Sequence, residues 1–208
     1  MNDFRAEFAQ HFDVSRETLE KLELYEALLR KWTKRINLVA PGTLDALWQR
    51  HFTDSAQILR LAAASASSWA DLGSGGGFPG AIIAILASST GQGIQMTLIE
   101  SDQRKAAFLR AVARETKTPF SVIAERIETS EPVGADVVTA RALAPLDTLL
   151  GYVVRHVAAN GTALLPKGAN AVSELEKARK TWSFTCESTQ SMTDPQAAIL
   201  KIGEIQRV

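Results

Sequence analysis

Residues 69–83 read WADLGSGGGFPGAII. Trp69–Leu72 has the apolar character of a short buried strand, and Gly80–Ala87 that of a buried helix. Between them lie four glycines in five positions, 73–77, then Phe78-Pro79. Glycine reaches positive φ without strain and leaves no Cβ in the path of a ligand. Pro79 suits a first helical turn, where its missing N–H costs nothing. Strand, glycine turn and helix in this order make the nucleotide-binding corner of a doubly wound sheet, where ligands sit beyond the carboxyl ends of the strands.

A literal G-x-G-x-x-G falls on Gly75, Gly77 and Gly80, but that match is weak. Asp71 precedes the turn by two residues, and a carboxylate there suits a partly cationic ligand better than a pyrophosphate. The next strand ends in Leu98-Ile99-Glu100, one βαβ step later, where an acid can take both hydroxyls of a ribose. Asp71, the turn and Glu100 together fit S-adenosyl-L-methionine, with its amino-acid end, sulfonium and adenosine. The alternative is a tight turn that serves packing alone.

Outward from this corner, strands are expected at 95–99, 120–124, 135–139, 162–165, 182–187 and 197–203, with helices at 103–115, 146–157 and 171–180. The alternation implies an α/β fold: a seven-stranded, mostly parallel sheet covered on both faces. Residues 1–60 read instead as helical. Leu22, Tyr25, Leu28, Leu29, Trp32 and Ile36 share one face, Ser15 suits a helix start, and Thr43 is a candidate cap for a helix through Trp48, Phe52 and Ile58. The expected organisation is an N-terminal helical extension, 1–60, and a compact unit, 61–208.

The 208 residues carry no net charge, 46% apolar and 22% charged residues. That composition is ordinary for a globular protein and argues against a uniformly basic nucleic-acid coat. The single cysteine, Cys186, reads as a small buried hydrophobe, and the three histidines show no metal-ligand spacing, so no metal is expected. The charged N-terminal stretch lacks a signal peptide's apolar core and no run approaches a membrane span, which points to a cytoplasmic protein.

Positive charge clusters locally. Arg30, Lys31, Lys34 and Arg35 surround Trp32, followed by Arg50-His51, Arg104-Lys105, Arg110 and, in Pro-Lys-Gly, Lys167. Gathered on one side these would neutralise RNA phosphates; otherwise they form an ordinary solvated face. At i, i+4 on a helix, Arg50 would share a face with Asp54, and His51 with Ser55, linking the helical segment to the mouth of the site.

Seven motifs in order, NLVA (37–40), RHFTDS (50–55), DLGSGGGFPG (71–80), LIESDQRK (98–105), RIE (126–128), TARA (139–142) and PKG (166–168), resemble those of the ribosomal RNA small subunit methyltransferase G family, also called glucose-inhibited division protein B. The resemblance covers nearly the whole chain. It implies a class I S-adenosylmethionine-dependent methyltransferase, Rossmann-like in fold. The implied reaction methylates N7 of one guanine of 16S rRNA, as naked rRNA, in an assembly intermediate or in the finished small ribosomal subunit; a monomer is expected. The cofactor positions it implies are Gly73, Phe78, Ile127, Glu128 and Arg141, beside the Asp71, Gly75 and Glu100 read from the fold. Phe78 either covers the adenine or methionine arm or is a core aromatic. Arg141 pairs with Asp71, with RNA phosphate or in a structural ion pair.

Guanine N7 carries a lone pair and no proton at neutral pH, so no general base and no catalytic triad is expected; Arg141 and Asp71 would serve alignment. Three competing readings are a methyltransferase with another acceptor, an NAD-dependent oxidoreductase and a non-catalytic RNA-binding module. The second lacks an evident Tyr-x-x-x-Lys or catalytic His pair, and an intact cofactor turn argues against the third.

Overall fold

The computed structural model describes residues 4–91 and 93–208; the first three residues of the helical reading lie outside them. Two helices, α1 (Phe4–Phe12) and α2 (Arg16–Thr33), open the chain. Ser15 caps α2 by accepting the Thr18 N–H, as its sequence position predicts. Thr43 does not cap the next helix. It ends a short 3-10 turn and donates to the Ala40 carbonyl, while the helix starts at Trp48 as a π-helical stretch to Thr53 and continues as α3 (Asp54–Leu59).

The alternating segments follow as β1 (Ser68–Leu72), α4 (Gly80–Thr90), β2 (Gln95–Ile99), α5 (Gln103–Thr116), β3 (Ser121–Ile123), β4 (Ala135–Ala140), α6 (Leu146–His156), β5 (Val157–Lys167), α7 (Ala171–Ala178), β6 (Trp182–Gln190) and β7 (Ala198–Arg207). They form one sheet of seven strands in the order β3-β2-β1-β4-β5-β7-β6. The first five strands run parallel, and β7 pairs antiparallel with both β5 and β6. Strand order reverses between β1 and β4, so a crevice opens beyond their carboxyl ends.

Alternation along β1 assigns Trp69 and Asp71 to one face and Ala70 and Leu72 to the other. On the first face, Trp69 joins a core that also contains Ile82 of α4, Phe108 of α5 and Leu22, Tyr25, Leu29, Phe52 and Ile58 of the N-terminal helices. On the second face, Ala70 and Leu72 meet Leu149, Leu150 and Val153 of α6 and Trp182 of β6. The N-terminal helices therefore pack into the sheet's own core. Glu26 lies buried among them and accepts from Arg30 Nε (2.8 Å), Trp48 Nε1 (2.6 Å) and Arg5 Nη2 (3.0 Å). Burial opposes ionisation of this carboxyl, but those bonds together hold its pKa below the ordinary value.

Candidate active site

The glycine turn is gripped from beneath. Tyr25 of α2 donates its hydroxyl to the Gly76 carbonyl. Gly77 has φ +89°, and a Cβ there would collide with the Tyr25 hydroxyl. A Cβ on Gly80 would meet Asp71 Cβ at 2.7 Å, and one on Gly73 would meet Leu143 Cδ1 at 2.6 Å. Gly75 alone among the turn glycines faces nothing closer than 3.8 Å. At Gly77 and Gly80 the close approach of other parts of the chain is enough to require a glycine.

Asp71 lies in register with Thr139 across β1 and β4, and its Oδ1 accepts the Thr139 hydroxyl at 2.8 Å. The carboxylate is fully buried, with Oδ2 beneath the first turn of α4 and without a complete hydrogen bond. Burial pushes its pKa up to about 6, against the opposing pull of the Thr139 bond and of Arg141. Asp71 supports the turn from below and is in the lining of neither cavity that flanks the crevice. Phe78 is buried in the same way, stacked between His51 (ring centroids 5.0 Å) and Tyr25 (5.7 Å).

Two cavities flank the crevice. One, about 420 Å³, is lined by Gly73, Glu100, Lys105, Ile127, Glu128 and Tyr152, with neighbours that include Ala142, Leu143 and Ala144. The other, about 440 Å³, is lined by Asp54, Arg141, Lys167, Glu174, Ser191 and Ile199, again with Ala142, Leu143 and Ala144. Residues 142–144, which follow β4, are the wall that the two share. Ala142 takes φ +53° there, an uncommon conformation for a residue with a Cβ.

In the first cavity Glu100 bridges two backbone segments. Its Oε2 accepts the Gly75 N–H and its Oε1 the Asp102 N–H, both at 2.8 Å. The 126–130 loop is held by α6: Tyr152 donates to Glu128 (3.2 Å), Arg155 to the Ser130 carbonyl (2.7 Å), and His156 Nε2 to the Ile127 carbonyl (2.9 Å). Three acids, Glu100, Glu125 and Glu128, line this cavity together with two bases, Lys105 and Arg126, the latter 3.6 Å from Glu128, a mixed lining suited to a ligand that carries both a positive and a negative charge. That donor set, beside a glycine turn, fits S-adenosylmethionine.

At the second cavity Arg141 does not reach Asp71. Its Nη1 donates to Asp54 Oδ2 (3.2 Å) and the Arg50 carbonyl (3.3 Å), its Nη2 donates to His51 Nδ1 (2.9 Å), and the guanidinium lies 5.0 Å over the Phe78 ring. Arginine only donates, so His51 Nδ1 accepts, and the proton sits on Nε2, which donates to Thr43 Oγ1 (2.9 Å). Burial, with Arg141 and Arg50 nearby, holds the His51 pKa down at about 4. Asp54 Oδ1 in turn accepts from Thr193 Oγ1 (3.0 Å) and Gln57 Nε2 (3.0 Å). RHFTDS thus meets TARA and the 191–193 turn in one polar relay.

The other basic residues divide. Arg30 is committed to Glu26 and to the Leu44 carbonyl (2.7 Å), so it is part of the packing rather than a free phosphate ligand. Trp32 is partly buried and packs on Phe108 (ring centroids 5.6 Å). Lys31, Lys34, Arg35 and Arg50 are exposed. Arg104 pairs with Asp102, and Lys105 lines the first cavity. Lys167 is withdrawn into the second cavity, with a side chain only 9% exposed. Thr139, inside TARA, supports the site through Asp71, and Tyr25, Leu143, Tyr152, His156 and Glu174, which no sequence motif marked, complete the two cavities and their supports. Cys186 is half-buried rather than sealed in the core. Among the described residues no group of His, Cys, Asp and Glu is placed to hold a metal ion, and no helix is long and apolar enough to cross a membrane.

The family described as rRNA small subunit methyltransferase G matches residues 18–201. A relative of that name from Ruegeria sp. (strain TM1040) is 50% identical over 94% of this chain and 95% of its own. One from Rhodospirillum centenum is 51% identical over 97% and 92%. Among solved structures, a TehB-like SAM-dependent methyltransferase from Corynebacterium glutamicum superposes with a TM-score of 0.57 at 14% identity, over 85% of this chain and 98% of that one. The N-methyltransferase NodS from Bradyrhizobium japonicum, in complex with S-adenosyl-L-homocysteine, gives 0.53 at 16% identity, over 88% and 97%. At these identities the structural matches establish the fold.

Proposed function

Since this chain belongs to the rRNA small subunit methyltransferase G family, we propose that it methylates N7 of one guanine of 16S rRNA. The observation that carries this reading is the pair of cavities divided by residues 142–144: one with both acids and bases in its lining, as a zwitterionic cofactor needs, the other lined by Arg141 and Lys167. Transfer between two molecules needs two sites with a common wall, so that the reacting atoms meet in line. When bound, S-adenosylmethionine supplies a methyl on sulfonium; the N7 lone pair takes it, the S–C electron pair stays on sulfur, and no proton leaves.

Gly73, Glu100, Ile127 and Glu128 are proposed to hold the cofactor directly, and Gly75 to act through its N–H on Glu100. Asp71 and Phe78 shape the site from beneath, the first by fixing the turn and the second by carrying the Arg141 guanidinium. Arg141 belongs to the acceptor side. Lys31, Lys34, Arg35 and Arg50 are the proposed phosphate contacts. The enzyme is proposed to act as a monomer in the cytoplasm, on the small subunit or on an assembly intermediate.

The test supplies methyl-labelled S-adenosylmethionine to small subunits that lack N7-methylguanine. Label at a single guanine, located by strand scission at the methylated base, is the expected result. Cofactor binding without transfer to subunits or free 16S rRNA would remove this acceptor.

A further inference from the structure

We infer that Lys167, held by Glu174, reads O6 of the acceptor base and thereby selects guanine over adenine. This rests on the acceptor assignment above. Lys167 is the last residue of β5, and its Nζ donates to the Ala144 carbonyl (3.0 Å) and to Glu174 Oε2 (2.8 Å). An ammonium carries three N–H donors, so one is left, and the cavity is the open side of this residue. Ala144 belongs to the wall shared with the cofactor cavity, which places that donor beside the point of transfer.

A base that presents N7 to the shared wall carries its position-6 substituent on the same edge. Guanine has an acceptor there, O6; adenine has an amino donor. N7 must keep its lone pair free for the methyl, so O6 is the one acceptor of that edge that an enzyme donor can engage. An adenine would set its amino group against the buried ammonium and leave both unsatisfied. The neighbouring cation is less able to serve, because Arg141 spends N–H groups on Asp54, Arg50 and His51.

Glu174 explains why a cation is tolerated here. The methyl arrives with positive charge and leaves the base positive, so an unpaired ammonium beside it would oppose transfer. The Lys167–Glu174 pair carries no net charge. Glu174 Oε2 also accepts the Leu146 N–H at the start of α6, which fixes the carboxylate and hence the lysine. A phosphate contact would instead use exposed side chains such as Lys31 or Lys34, not one almost wholly withdrawn and already paired.

The experiment compares small subunits reconstituted with guanine, inosine or 2-aminopurine at the acceptor position. All three keep N7; only 2-aminopurine lacks O6. With the native enzyme, inosine should fall within about threefold of guanine and 2-aminopurine about 10–100-fold lower in kcat/KM, the discrimination of one good base contact. In Lys167→Met, guanine should drop to the 2-aminopurine level while 2-aminopurine itself barely changes. An equal loss on all three bases would overturn the inference and make Lys167 a phosphate or structural residue. Unchanged cofactor affinity shows that the variant is folded; if it is not, equal native rates on inosine and 2-aminopurine overturn the inference without it. No label even on guanine would overturn this inference together with the acceptor assignment.

Discussion

Asp71 is a carboxyl whose environment keeps its proton longer than water would. Its pKa rises from 3.8 to about 6 because burial penalises the anion more than Thr139 and Arg141 relieve it. Between those values the folded chain holds a proton that the unfolded chain has lost, so stability falls as pH rises through the window and stays lowered above it. A rise of that size corresponds to about 3 kcal/mol. Urea titrations from pH 4 to 8 should show that fall in the native protein relative to Asp71→Asn, which has no charge to bury. His51 works with the opposite sign. Its pKa of about 4 lies below the usual 6.5, so its contribution is complete above pH 6.5 and is lost as pH falls toward 4. At neutral pH it is therefore an acceptor for Arg141, and His51→Ala should lower kcat/KM about tenfold, one charge-assisted hydrogen bond, with cofactor affinity unchanged in a titration. Gly77 is constrained both by φ +89° and by the Tyr25 hydroxyl. Gly77→Ala should cost about 1–3 kcal/mol in chemical denaturation, whereas Gly42→Ala, with open space around it, should stay within about 0.5 kcal/mol.

Helix α6 acts on the cavity proposed to hold the cofactor without forming its glycine turn. Three of its side chains hold the 126–130 loop, two of them by backbone carbonyls. Arg155→Ala removes both guanidinium bonds to the Ser130 carbonyl while leaving the buried apolar face of the helix, Leu149, Leu150 and Val153, in place. Loosening a loop raises the ordering cost of binding. The variant should bind S-adenosylmethionine about three- to tenfold more weakly by calorimetry, the loss expected for one hydrogen-bonding group, with far-UV circular dichroism unchanged. A native affinity in that variant would show that the loop is rigid without the helix.

For the molecule as a whole, we propose that residues 1–60 and 61–208 fold as one unit. Their boundary in sequence is not a boundary in packing: Leu22, Tyr25 and Phe52 are buried in the same core as Ile82 and Phe108, and Arg141 joins β4 to the RHFTDS segment. Trp32 and Trp48 lie in the helical part and Trp69 and Trp182 in the sheet part. Unfolding followed by fluorescence of variants that retain only the first or only the second pair should give coincident midpoints. Separate midpoints would restore an autonomous extension.

Local pattern was enough for the element order, for the strand–turn–helix corner, for the Ser15 cap and for Glu100 at a strand end. Each depends on neighbours within a turn or a strand, where side-chain periodicity and backbone preference act directly. The partners of the chemical groups were not legible in the same way. Tyr25 meets Gly76 across 51 residues and Arg141 meets His51 across 90. A glycine required by a ligand and a glycine required by a tyrosine look alike in a string of letters. Likewise Asp71, Phe78 and Arg30 have the residue types of a site, yet packing places them under or beside it. Residue type and spacing set which chemistry is available; the parallel pairing of β1 with β4, with α2 below and α6 above, settles which groups face a cavity, because burial and hydrogen bonding there depend on contacts that no local period encodes.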